Sequence, residues 1–437
     1  MEVAMEIKRD VYLDRLIVRK HNGLIKVITG IRRSGKSYLL NTLFYRHLIA
    51  ENISEDHIIK FAFDSAEDLL KIGEYPIVLD NEKEDRKVDP SKFINWLMPQ
   101  IKGDGMYYLL LDEVQKLGAF ESVLNGFLRR ENLDVYVTGS NSKFLSKDIL
   151  TEFRGRGDEV HVLPLSFSEY YTFKQGDKSE AYDDYSVYGG LPAVALMATE
   201  EQKTRYLISQ MQNLYLRDIV NRYAVQDETA LGEVIDVIAS GISTLTNPRK
   251  IANTMNTIHG TKTCDATVDR YIGYAEEAFI LTRVKRYNVK GRKYIGTPYK
   301  IYFEDVGLRN ARLSFRQTEG THMMENIIYN ELRYRGFQVD VGTVESREKD
   351  SSGKEIRVQR EIDFIASLGS KKYYIQSAYA IPDQEKYEQE TKSFGHTMDS
   401  FKKIIIVDKS MKPRYDEHGY LMMGVKEFLL DANSLLI

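Results

Sequence analysis

The sequence of 437 residues holds a single cysteine, Cys264, which excludes an internal disulfide and a cysteine-based zinc cage. It also lacks any apolar run of the ~18 to 20 residues that cross a bilayer, and Met1 to Asp10 mixes acids and bases where a signal peptide would be apolar. The expectation is a soluble, cytoplasmic chain with no membrane partner. An excess of one charge is missing as well: 61 Lys and Arg stand against 64 Asp and Glu, a net charge of −3 with histidines neutral. That balance excludes a globally basic coat for nucleic acid and leaves room for a local basic patch. The eight histidines show no ligand spacing, His259 and Cys264 are too little for a metal site, and there is no internal repeat or low-complexity tract. The only tryptophan, Trp96, reads as a packed aromatic.

With 43% hydrophobic and 11% aromatic residues, the chain can build sizeable cores. Its length suggests roughly three domains at about 150 residues each. Extended runs at Leu24–Thr29, Ile58–Phe63, Tyr107–Leu111, Val135–Thr138 and Val160–Leu165 alternate with helical patterns. That alternation predicts an α/β fold with a mostly parallel sheet. After Pro164 the pattern turns helical, over Ser166–Phe173 and Ala193–Ile251, interrupted at Tyr188-Gly-Gly-Leu-Pro192. Helices at Pro248–Thr257 and Thr267–Ala278 precede extended runs at Ile280–Tyr287 and Tyr294–Phe303, an order like that of a winged helix. From Gly320 a helix at Met323–Gly336 leads into extended runs at Gln338–Val341, Glu361–Ala366, Tyr373–Gln376 and Lys403–Val407, with a polar helix at Asp383–Gly395. Glu345–Gln359, the most hydrophilic insert, reads as a hairpin tip or loop. The expected domains are 1–165, 166–310 and 311–437.

Gly30-Ile-Arg-Arg33-Ser34-Gly35-Lys36-Ser37 matches G-x-x-x-x-G-K-[ST] between a strand and a helix, the context such a phosphate loop requires. Glycine lets backbone N–H groups approach phosphate oxygens, and the helix N-terminus adds partial positive charge. Lys36 would reach the β and γ phosphates and Ser37 would ligate Mg²⁺, so ATP and Mg²⁺ are the expected cofactors, with Arg33, Ser34 and Tyr38 bordering the nucleotide. A glycine turn that binds nothing is the bland alternative, and the strand-loop-helix context weighs against it. No base-reading motif of the Asn-Lys-x-Asp type is present, which favours ATP over GTP.

The apolar run Tyr107–Leu111 ends in Asp112 and Glu113. Asp112 would hold the metal and Glu113 would polarise the attacking water. Thr138-Gly-Ser140-Asn141 closes the next strand, where Asn141 or Ser140 would sense the γ phosphate. Arg156, ahead of Arg154, is the candidate for a finger acting from a neighbouring subunit of a homo-oligomer.

This set resembles a family: prokaryotic AAA+-type P-loop ATPases that carry a C-terminal domain of unknown function with a nuclease-like fold. The resemblance rests on Gly30–Ser37, Leu110-Leu-Asp-Glu-Val-Gln115, Thr138-Gly-Ser140, Gly155-Arg156, Pro164-Leu-Ser-Phe167, Tyr188–Pro192, Lys300–Leu308 and Arg360-Glu-Ile-Asp-Phe364. It implies a nucleotide-dependent ATPase whose far end has a restriction-endonuclease-like α/β fold. In such folds an Asp and a Glu-x-Lys hold metal and activate water. Asp363 stands at the first position, but the second reads Gln376-Ser377-Ala378, so two of three parts are missing and the domain is expected to cut nothing. Glu325, Glu361 and Asp363 are expected to form salt bridges with neighbours such as Arg360, with weak binding of a cation as the alternative.

Between Arg283 and Lys300 lie seven basic residues, Arg283, Lys285, Arg286, Lys290, Arg292, Lys293 and Lys300, with Tyr287 and Tyr294 interleaved and no acid. On a wing, these would offer charge and aromatic faces to DNA. A solvated cationic hairpin is the alternative.

Overall fold

Apolar runs that end in polar turns become the strands of one sheet. In the computed structural model, which describes residues 6–74, 87–139, 155–260, 263–317, 319–349 and 353–437, these are β1 (Ile25–Thr29), β2 (Ile58–Ala62), β3 (Tyr107–Asp112), β4 (Leu133–Thr138) and β5 (Gly157–His161). All four pairings are parallel, in the order β2-β3-β4-β1-β5. The central strands β1, β3 and β4 are buried along their whole length. A strand covered on both faces needs a continuous apolar run rather than alternation, which is why Leu109, Leu110 and Leu111 stand together. Lys26, the charge within β1, is buried against Asp134 of β4, to which Tyr136 also donates at 2.9 Å. Trp96 packs as expected, with its ring centroid 5.0 Å from that of Phe61.

β5 begins earlier than its apolar residues suggest, at Gly157 rather than near Val160. As the edge strand it pairs only with β1, so Asp158 and Glu159 can sit in it by bonding Arg19 at 2.9 Å and Thr29 at 2.8 Å.

The chain divides into two units, one of Lys8–Leu163 with Glu277–Phe279, the other built mainly from Pro164–Glu276 and Ile280–Ile437. The second opens with helices. Ser166 and Glu169 form a reciprocal cap on Phe167–Lys174, and Asn247 with Pro248 starts Pro248–His259. Lys178–Tyr188 is a helix that the sequence pattern did not mark, because its tyrosines and acids blur the apolar stripe; Asp177 caps it by accepting from Ser179 and Glu180. Between Glu228–Ser240, Pro248–His259 and Asp265–Glu277, residue Thr246 bridges antiparallel to Tyr299.

Eight strands follow: β6 (Leu281–Asn288), β7 (Lys293–Phe303), β8 (Gln338–Lys349), β9 (Glu355–Leu368), β10 (Lys371–Ala378), β11 (Lys402–Val407), β12 (Arg414–Tyr415) and β13 (Leu421–Gly424). They form one mixed sheet in the order β12-β13-β11-β10-β9-β8-β6-β7. The hairpin β6–β7, read from sequence as a wing in a middle domain, therefore belongs to the same sheet as the C-terminal strands: Arg286–Asn288 pair in parallel with Val341–Thr343. A boundary at residue 310 falls between strands of that sheet. Parallel pairing needs a crossover, here through the helix Gly320–Tyr334, and no local pattern reveals it. The hydrophilic insert Glu345–Gln359 is strand on both sides, paired from Glu345–Gln359 out to Lys349–Glu355, with residues 350–352 outside the described set. Cross-strand ion pairs such as Arg357 with Glu345 support a ladder that has little apolar content. Among the described residues no helix is long and apolar enough to cross a membrane.

Candidate nucleotide-binding site

Because the first sheet is parallel, β1, β3 and β4 deliver their C-terminal ends to one edge. The chain leaves β1 for β2 at the far side of the sheet and returns, so β1 lies where strand order reverses, the usual place for a ligand in such sheets. Gly30 follows β1 with φ 131°, and a Cβ there would lie 2.1 Å from the Val162 carbonyl oxygen. Only glycine fits. Arg33 and Gly35 also have positive φ, 65° and 96°, which turns the loop into the helix that starts at Lys36. Arg9 fastens the loop by donating to the Ser34 carbonyl at 3.0 Å and the Leu163 carbonyl at 2.6 Å.

Lys36 is 5% exposed and donates to the carbonyls of Gly30 and Ile31, both at 2.9 Å. The ammonium is thus held inside the loop. Ser34 is fully buried and its hydroxyl has no hydrogen-bond partner among the described residues. Arg33 and Tyr38 are exposed at the loop's rim.

Asp112, at the end of β3, collects three polar groups. Its Oδ1 accepts from Ser37 Oγ at 3.1 Å and from Thr138 Oγ1, and its Oδ2 accepts from Asn41 Nδ2 at 3.2 Å. Burial pushes its pKa up, reinforced by Glu113 and Asp64, while the Thr138 and Ser37 hydroxyls pull it down. A carboxylate so poorly solvated gains from a cation beside it. Glu113 takes a left-handed conformation, φ 52°, with its N–H donating to Thr138 Oγ1 at 3.1 Å and its carboxylate accepting from Gln115 Nε2.

The expected residues Gly30, Ser34, Gly35, Lys36, Ser37, Asp112 and Glu113 are therefore brought to one edge. Ser140, Asn141 and Arg154 lie outside the described residues. Arg156 is described and exposed, but its carbonyl accepts from Ile25 N at 2.9 Å, which sets it at the opening end of β1. It is about 16 Å of strand, at ~3.3 Å per residue, from Gly30. Asn41 and Arg9 escaped the sequence reading, and Gln115 entered it as part of a motif without a role. Asn41 sits four residues after Ser37 and so on the same helix face, a spacing that signals it; Arg9 left no local signal.

In the C-terminal sheet, Gln376 Nε2 donates to Glu390 at 3.2 Å. Glu325, Glu361 and Asp363 are paired with Lys300. Of the seven basic residues from Arg283 to Lys300, four are engaged internally, the exposed Lys290 by donating to the Glu345 carbonyl at 3.4 Å. Arg283 pairs with Asp269 and Glu276, Arg286 donates to the carbonyls of Thr297 and Pro298, and Lys300 is buried. Lys285, Lys290, Arg292 and Lys293 are exposed, beside a Tyr294 that is 60% exposed.

Residues 22–171 match the model of an AAA domain, and residues 179–319 that of a domain of unknown function, DUF8612. An uncharacterised protein of Haemophilus influenzae is 34% identical over 415 residues, covering 94% of this chain and 95% of its own. A second, from Methanocaldococcus jannaschii, is 27% identical over 98% of this chain and 90% of its own. Among solved structures, Cdc6p of Pyrobaculum aerophilum aligns with TM-score 0.29 and 12% identity, over 75% of this chain and 97% of its own. The loop geometry, the acid at the end of β3 and the family match agree that residues 22–171 form an AAA domain of P-loop type, and the chain as a whole belongs to one family with the uncharacterised Haemophilus influenzae protein.

Proposed function

We propose that the chain binds ATP with Mg²⁺ at the ends of β1, β3 and β4 and hydrolyses it, in the cytoplasm, with turnover rearranging its helical and C-terminal regions. One observation carries the proposal: Ser37, Asp112 and Thr138 converge behind a glycine loop that already encloses the Lys36 ammonium. The residues fit the cofactor. A loop that admits no side chain at Gly30 suits phosphate oxygens, and the hydroxyl of Ser37 with the carboxylate of Asp112 is a hard-oxygen pair for Mg²⁺.

When bound, Mg²⁺ supplies neutralising charge to the phosphates. Lys36 exchanges the Gly30 and Ile31 carbonyls for phosphate oxygens. Glu113 orients water and accepts its proton, held in place by Gln115 and by its own N–H on Thr138. Asn141 or Ser140 senses the γ phosphate, and Arg33 and Tyr38 border the nucleotide. Arg156, placed at the other edge of its own sheet, acts on the site of a neighbouring copy in a homo-oligomer. Glu113→Gln should keep ATP affinity within a few-fold and slow phosphate release by about 10²-fold or more. Unchanged phosphate release from the variant removes Glu113 from the role.

A second reading, a nucleotide-gated DNA-binding protein, is favoured by the exposed Lys285, Lys290, Arg292, Lys293 and Tyr294 on the β6–β7 hairpin. The element order before the hairpin, three helices with a Thr246 bridge, supports a winged helix.

A further inference from the structure

Lys300 lies on β7 and its side chain is only 4% exposed. A buried ammonium is costly unless several groups compensate it. Here three carboxylates do: Nζ lies 2.8 Å from Glu325 Oε1, 2.7 Å from Glu361 Oε1 and 3.1 Å from Asp363 Oδ1. They come from the helix Gly320–Tyr334 and twice from β9. Tyr302 Oη donates to Glu325 Oε1 at 2.6 Å, and Ser377 N donates to Asp363 Oδ2 at 2.9 Å. The carboxylates are thus fixed around one point.

We infer that the Lys300 ammonium is the resident cation of a carboxylate cage, filling a position that a hard divalent metal would otherwise take. Three acids around one cation leave an excess of negative charge. Burial accordingly pushes the Glu325 carboxyl up to about 7, with Asp363 adding to the shift and Lys300 and Tyr302 opposing it. Glu361 is raised by burial too. Burial pulls the Lys300 pKa down, but Glu325, Tyr302, Asp363 and Glu361 outweigh it and hold the group charged. The cage is spaced for nitrogen. Its N···O distances exceed the ~2.0 to 2.6 Å of Mg²⁺ or Ca²⁺ to oxygen, and among the described residues no group of acids closes to metal geometry. One further oxygen stands on the adjoining strand β10, where Gln376, next after the Ile375–Phe364 pair, falls opposite Asp363: its Oε1, in a side chain about nine-tenths buried, has no hydrogen-bond partner among the described residues. Without the ammonium, three carboxylates converge on the point it held, with Gln376 on the same sheet face as Asp363. This inference does not depend on the nucleotide reading.

The test is Mn²⁺ binding to the nucleotide-free full chain, followed by electron paramagnetic resonance. The parent should show no Mn²⁺ site that Asp363→Asn removes. Lys300→Ala should gain one site at least tenfold tighter than any parental binding, and Lys300→Ala with Asp363→Asn should lose it. A parental site abolished by Asp363→Asn, or no gain in Lys300→Ala, overturns the assignment. If Lys300→Ala does not fold alone, its circular dichroism melt should be restored by Mn²⁺, and failure to restore it counts equally against the cage.

Discussion

Thr138 shows how much of the nucleotide site turns on single atoms. Its hydroxyl donates to Asp112 and accepts the Glu113 N–H, so it ties the acid proposed to hold the metal to the backbone of the acid proposed to polarise water. Thr138→Val keeps the shape and removes both bonds. It should lower the stability of the first unit by about 1 to 3 kcal/mol, the cost of stranding buried polar partners, and reduce phosphate release more than ATP affinity. Urea unfolding and steady-state turnover measure the two effects. Lys36→Ala should abolish ATP binding by calorimetry, and a variant that bound as tightly as the parent would leave the loop without its assigned role. At this scale the motif residues were legible because their chemistry demands a fixed spacing. Thr138 acquires its bonds only when β3 and β4 lie side by side, and Lys300 reaches the acids only when folding brings β7 to β9 and to the helix that carries Glu325.

Among the elements, the short helix Val306–Arg312 explains two segments that the sequence reading quoted separately. Asp305 caps it, accepting from Leu308 N at 2.9 Å, and also accepts from Gly190 N at 2.7 Å, so Tyr188–Pro192 and Lys300–Leu308 meet at one carboxyl. Burial raises its pKa from 3.8 to about 6, against the N–H groups of Gly190, Leu308 and Gly307. A folded-state pKa above the unfolded one means that the folded form binds the proton more tightly. The associated stability is complete below about pH 4 and fades as pH rises through about 6. Thermal melts should therefore show a fall across pH 4 to 7 that is smaller by about 1 to 3 kcal/mol in Asp305→Asn, from ~1.4 kcal/mol per pKa unit; an identical pH profile would rule the group out. Strands flanked by turns were legible. Lys178–Tyr188 and the strand extensions through Glu345–Gln359 were not, since tertiary pairing outweighs their polar composition.

At the scale of the whole chain, near-neutral charge hides a divided basic segment. If the hairpin meets DNA, binding should weaken steeply with salt, and replacing Lys290, Arg292 and Lys293 by alanine should reduce the slope of log K against log [salt] by about 2 to 3, at ~0.9 per phosphate contact. Gel shifts across a salt series measure it, and no affinity of the parent at low salt discards the DNA reading. The AAA core could be anticipated from sequence because its strands are apolar and its loop is specific. The sheet that unites β6 and β7 with the C-terminal strands could not, because nothing local encodes which distant edge a strand will choose.

That union has a practical meaning for anyone dissecting the molecule. Severing the polypeptide between Phe303 and Gln338 would leave β6 with β7 alone and bare the backbone amides of β8, leaving two sticky fragments instead of two modules. Co-expressed, such halves should reassemble across that seam; expressed apart, each should aggregate.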